Sequence, residues 1–260
     1  MNHPHLQKVL LENRPFRVGQ YISKGFHLFS KNLGSFVAYS LLSVLIISMV
    51  AGVPLVGGWA SKFAMMPVLT AGIYLVVHEV HKGKRVEFGE HFLGFRYIIP
   101  LALASIAISV ITTVATIPFW LANKSLLEWT WNLQDSFTTF DWEEIRDSYP
   151  GFHSWKLLLL FPVLYFAIAY SWTRLFIVFY DLNVWEAMEA SRRFISKNWL
   201  TYLLFAIVLI VIGYGGLAGL MIGIFFTYPA MLCINYVAFE DMTQLRKAEA
   251  EEQFVNIKVK

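Results

Sequence analysis

The sequence predicts an all-α polytopic membrane bundle. Three observations lead there. Apolar runs near 20 residues long recur along the 260-residue chain. Hydrophobic residues make up 57% and charged residues only 15%. Mean hydropathy is +0.54. A soluble domain carries about 25% charged residues, and a helix that crosses a bilayer needs roughly 20 apolar ones. Disorder, a coiled coil and an ordinary water-soluble enzyme are therefore excluded as first readings. The net charge of +3 is too weak to argue for nucleic acid. The single cysteine, Cys233, lies in an apolar run and permits no disulfide within one chain.

Residues 1–33 read as a cytoplasmic amphipathic segment. Arg17, Lys24 and Lys31 recur every seven residues, with Val18, Ile22 and Phe29 opposite. Six spans are expected within 34–239: about Gly34 to Val53, Phe63 to Val80, Ile98 to Ala122, Leu157 to Tyr180, Trp199 to Gly213 and Gly216 to Phe239. The first starts too late for a usual signal peptide, so it is expected to be retained as its own insertion signal. The fifth is short, so its helix is expected to begin earlier, at the interface. Pro67, Pro100, Pro118, Pro162 and Pro229 fall in these runs. Membrane helices tolerate such prolines because neighbours re-satisfy the freed carbonyls, and each can kink its helix. The long outer loop, 123–156, carries Trp129, Trp131, Trp142 and Trp155 beside acidic residues. Tryptophan favours the headgroup region, so this loop should lie along the outer face, partly helical. Residues 240–260 form a cytoplasmic tail.

Charge sets the orientation. Sixteen Lys and Arg residues fall in the N-terminal segment, the loops after spans two and four, and the tail. The other side has Lys62, Lys124, Arg146 and Lys156. Loops rich in Lys and Arg stay cytoplasmic, so both termini should be cytoplasmic.

An internal repeat is expected. Leu28-Phe-Ser-Lys-Asn-Leu33 aligns with Phe194-Ile-Ser-Lys-Asn-Trp199, and each copy follows an amphipathic stretch. In the second copy Glu186, Glu189, Arg193 and Lys197 form one polar face, and Asn183 with Glu186 resembles a capping box. Trp185, Met188, Phe194 and Ile195 lie mainly on the other side. A weaker third copy covers Phe88 to Tyr97. Together they suggest three units, each an interfacial helix followed by a membrane hairpin.

The stretch Leu157-Leu-Leu-Leu-Leu-Phe-Pro162, then Tyr170-Ser171, Asp181, Glu186-Ala187, Ser191-Arg192 and Trp199, carries a resemblance. Gly94-Phe95 and Pro229 fit it too. The chain resembles a family of uncharacterised six-helix bacterial integral membrane proteins. That family is similar to the membrane domain fused to some glycerophosphodiester phosphodiesterases. The resemblance implies a six-helix fold and a bacterial inner (cytoplasmic) membrane, and no particular activity. Val163 stands where the family usually has glycine.

Few residues point to chemistry. Arg174 lies inside span four, where a charge costs about 2.5–3.5 kcal/mol at the helix centre. It could snorkel, pair with Glu79, Asp181 or Glu240, or contact a lipid phosphate. Asn235, Arg192 and Arg193 are further candidates for ligand or lipid contact. His78, Glu79 and His81 end span two, and His78 and His81 share a helix face, so they are weak metal candidates. The spacing is not that of the metalloprotease motif. Gly215, Gly219 and Gly223 recur every four residues, a spacing that suits close helix packing. Thr112, Thr113 and Thr116 are buried polar candidates in span three. No span holds a mid-membrane Asp or Glu, which argues against a proton-coupled transporter. No nucleophile–base–acid set stands out. The expectation is a non-enzymatic membrane protein without cofactor that binds membrane lipid or a membrane protein partner. The alternative is a small-molecule transporter or channel.

Overall fold

A computed structural model describes residues 4–12, 14–135, 143, 149, 154–218 and 222–250. It is all-helical, 87% helix, with no strand among the described residues. In chain order the helices are α1 (Pro4–Leu11), α2 (Val18–Lys31), α3 (Leu33–Ala51), α4 (Gly57–His81), α5 (Phe88–Ala122), α6 (Lys124–Asp135), α7 (Phe161–Ala169), α8 (Thr173–Tyr180), α9 (Val184–Lys197), α10 (Trp199–Gly215) and α11 (Ile224–Thr243). Residues 245–250 add a short helical stretch.

Four stretches are long and apolar enough to cross a membrane: α3, α4, α5 and Trp155–Tyr180. The pair α9 and α10, bent by 101°, makes a fifth if it is read as one span. These mark a membrane protein. Leu41, Val44, Leu45 and Met49 of α3 stay exposed, as the lipid-facing side of such a helix requires.

The chain divides into two compact units, Met1–Ile106 with Ile168–Lys260, and Ala107–Ala167. In the smaller unit the threonine hydroxyls of α5 bond back to their own helix. Thr112 donates to the Ile108 carbonyl at 2.8 Å, and Thr116 to that of Thr113 at 2.6 Å. Asn123 donates to Phe119 at 2.8 Å and Lys156 to Ala122 at 2.8 Å, which satisfies carbonyls at the helix end. Of the outer loop, α6 is helical; most of 136–153 lies outside the described residues.

The larger unit is built around α11, whose residues from Pro229 onward are largely buried. Helix α2 crosses it most extensively. A Cβ at Gly25 would overlap the backbone of Ile234, so only glycine permits this approach. Rings from α8 and from Trp172 just before it fill the other side: Phe176 and Phe239 lie 5.0 Å apart edge to face, Trp172 and Phe239 5.6 Å. Helix α4 begins with one α turn, Gly57–Ala60, passes through a π turn, Ser61–Met65, and carries Pro67 just after it, where the chain returns to regular α geometry. Its middle meets the 3-10 turn Phe88–Tyr97 that opens α5. A Cβ on Gly72 would overlap the His91 carbonyl, and one on Gly94 that of Val68. The Tyr39 hydroxyl lies within reach of both the Leu69 and His91 carbonyls, at 3.3 and 3.2 Å.

Two chain features depart from expectation. Span four breaks at Tyr170–Trp172, between α7 and α8. Pro162, the residue expected to kink it, stands second in α7, a position that needs no N–H partner. The last apolar helix starts at Ile224, with a 3-10 turn at Gly216–Ala218 before it. Elsewhere the local signals hold. Asn183 caps α9 by accepting from the Glu186 N–H at 2.9 Å. Met188, Phe194 and Ile195 are buried as expected, whereas Trp185 is exposed. The two Ser-Lys-Asn corners have nearly the same backbone: Asn32 has φ −137° and ψ 38°, Asn198 φ −126° and ψ 41°.

Candidate functional site

Charge gathers where α4 and α11 end. Helix α11 closes with Glu240 and Asp241, and Gln244, at φ 52°, turns the chain back. The turn carries residues 245–250 toward the end of α4. There the Glu249 carboxylate meets His78 Nε2 at 2.9 Å and forms an ion pair with Lys82 Nζ at 2.8 Å. The other ring nitrogen of His78, Nδ1, lies 2.6 Å from the Tyr236 hydroxyl. Partial burial raises the Glu249 carboxyl, but the bonds from His78 and Lys82 outweigh it and hold it near 2. Lys84 closes the edge on Glu79.

Beside this clasp lies a cleft of about 420 Å³ lined by Arg14, Lys24, His81, Glu240, Arg246 and Lys247, among others. Its carboxylates are engaged. Asp241 accepts from the Tyr21 hydroxyl at 2.7 Å and Glu240 from Arg246 Nε at 2.8 Å. Arg14 Nε holds Glu12 at 2.9 Å, and Gln244 donates to the same oxygen at 2.8 Å. Lys24 and Lys247 make no ion pair among the described residues. The cleft therefore keeps positive charge to spare.

Of the residues singled out in the sequence, His78 stands in the clasp and His81 in the cleft lining, while Arg174, Asn235, Arg192 and Arg193 line neither. Asn235 is buried in the core: its carbonyl accepts from Trp172 Nε1 at 3.0 Å and its amide donates to Tyr74 at 2.8 Å. One acceptor and one donor position of the Asn235 amide are thus engaged within the protein. Arg192 grips Glu189 through two bonds of 2.8 Å, and Arg193 adds one of 2.6 Å. Those bonds hold the Glu189 carboxyl near 2, against a smaller desolvation effect. Arg174 is half-buried, and among the described residues it makes neither an ion pair nor a hydrogen bond, including with Glu79, Asp181 or Glu240. Of the three glycines, Gly223 meets the backbone of Gly216, Gly215 faces open space, and Gly219 lies outside the described residues. Both His78 nitrogens are occupied within the protein. His81 Nδ1 is buried without a partner. No group of three or more His, Cys, Asp or Glu able to hold a metal occurs among the described residues.

A second cavity, about 390 Å³, lies between α3, α4, α10 and α11 and is lined mainly by carbon, including Ile47, Leu69, Ile73 and Phe225. Thr70 and Tyr228 hydroxyls pair across it at 2.9 Å. No charged residue stands among its described lining residues.

The cleft residues stand far apart in sequence, from Arg14 to Lys247. In the sequence its Lys and Arg residues register only as basic residues of one side, with no spacing that ties them together. Comparison with protein-family models, curated proteins and solved structures found no match for this chain.

Proposed function

We propose that the chain is a non-enzymatic, six-span protein of a bacterial inner membrane that binds anionic membrane lipid along its basic, cytoplasmic side. The spans are α3, α4, α5, Trp155–Tyr180, α10 and α11. Helix α11, with 20 residues, reaches about 30 Å at 1.5 Å per residue, the thickness of a hydrocarbon core. The 101° bend at Asn198 supports α9 as a helix in the headgroup plane, and the near-identical corner at Asn32 supports a repeat of that unit. Six spans place both termini on the side that holds most Lys and Arg.

One observation carries the lipid reading. Helix α2 buries Tyr21, Gly25, Leu28 and Phe29 while Lys24 and Lys31 stay exposed, without an ion pair among the described residues. A basic helix held beside apolar spans attracts anionic headgroups at about 1 kcal/mol per cation near the surface. Native mass spectrometry of protein extracted with its surrounding lipid tests this. A defined anionic-lipid adduct is expected, and a bare protein overturns the reading. Orientation is tested by labelling Ser23→Cys and Trp59→Cys variants from outside intact cells. Only Trp59→Cys should react.

A further inference from the structure

We infer that the cleft between α2, the end of α11 and the turn after it is a discrete site for the phosphate of one phospholipid headgroup. This rests on the lipid-binding reading and narrows it to one place.

The charges favour an anion. Arg14, Lys24, Arg246 and Lys247 line the cleft against two carboxylates, Glu240 and Asp241. Each arginine has committed its Nε to a carboxylate, at 2.9 and 2.8 Å, which orients the guanidinium; one terminal N–H of Arg14 also donates to the Asp241 carbonyl at 3.5 Å, and the remaining terminal N–H groups are left for an anion. The Asp241 carboxylate is held back by Tyr21. The two lysine ammoniums have no carboxylate of their own among the described residues. Mobile lysines beside oriented arginines suit a phosphate, which needs several donors and no fixed single geometry.

The position favours a lipid as the source. The cleft lies at the terminal turns of two apolar helices, α4 and α11, where a spanning helix meets headgroups. Val237 and Ala250 line the cleft beside the charged residues, so a molecule there meets carbon as well as charge.

The test uses the full chain in nanodiscs of phosphatidylcholine with 20% phosphatidylglycerol (about one lipid in five), compared with the double variant Lys24→Gln/Lys247→Gln. Both lysine side chains are exposed and make no ion pair or hydrogen bond among the described residues, and an unchanged thermal midpoint checks that the variant folds. Native mass spectra after mild detergent release should show one phosphatidylglycerol retained by the wild type, and at least tenfold less in the variant. Retention undiminished in a folded variant overturns the site while leaving lipid binding in place. No retained lipid on the wild type overturns both. Displacement of the lipid by millimolar inorganic phosphate or glycerol phosphate would assign the cleft to a soluble phosphate and overturn the lipid source.

Discussion

Helices α2 and α9 have the same length, 14 residues, and turn into their apolar partners through the same Asn corner. They differ in how their charges are spent. Aligned on Ser-Lys-Asn, the small residue each helix presses inward is Gly25 in one and Ser191 in the other. Gly25 lets α2 approach the backbone of α11. Ser191 instead donates to the Ala169 carbonyl at 2.7 Å and accepts from the Trp172 N–H at 3.1 Å. The second helix carries Glu186 and Glu189 where the first has Gln20 and Ser23. Glu189 pairs with both Arg192 and Arg193, whereas Lys24 and Lys31 have no carboxylate partner among the described residues. One backbone thus serves two purposes: α9 is a structural brace, and α2 presents cations.

Breaking the brace or the crossing should have the largest effects. Gly25→Val forces a branched side chain into Ile234 and should cost about 1–3 kcal/mol or more, seen as a lower thermal midpoint or loss of folded protein. Ser191→Ala orphans the Ala169 carbonyl and the Trp172 N–H. It should cost about 1–2 kcal/mol by the same measurement, as should Asn235→Leu, which strands Trp172 and Tyr74. A brace role for Asn235 fails if Asn235→Leu melts like wild type yet loses lipid.

The clasp at Glu249 should be weaker. Its carboxyl is depressed below the ordinary 4.5 to about 2. The stabilisation is therefore present above pH 4.5 and fades as pH falls toward 2. Glu249→Gln should loosen residues 245–250 by at most about 1 kcal/mol, read as faster amide exchange there at neutral pH with the thermal midpoint nearly unchanged. The smallest change sharpens the contrast between the two helices. Gln20→Glu places a carboxylate four residues before Lys24, as Glu189 stands before Arg193. It should stabilise α2 by about 0.3–0.5 kcal/mol while weakening retention of anionic lipid.

Much of this was legible locally. Apolar length marked α3, α4 and α5; the Asn183 cap and the Glu189–Arg193 pair follow from spacing within one turn. The break at Tyr170–Trp172 was not legible, because what satisfies its carbonyl is a serine on another helix. The turns at Asp181 and Gln244, with φ 47° and 52°, place non-glycine residues in the left-handed region, against their local preference. Arg174 stood out as a charge in an apolar run, but its surroundings depend on helices the run does not name. The cleft was least legible, since it needs the chain near residue 14 to meet the chain near 247.

The hydroxyl that closes the helix break also imposes an order on biogenesis. Ser191 follows Ala169 by 22 residues, so at synthesis rates of about 5–20 residues per second the gap waits on the order of one to four seconds for its partner. Asn235, which receives the Trp172 indole, arrives 63 residues after it. The middle of the bundle is thus left provisional through most of translation, and the last helix to be made settles helices inserted long before it.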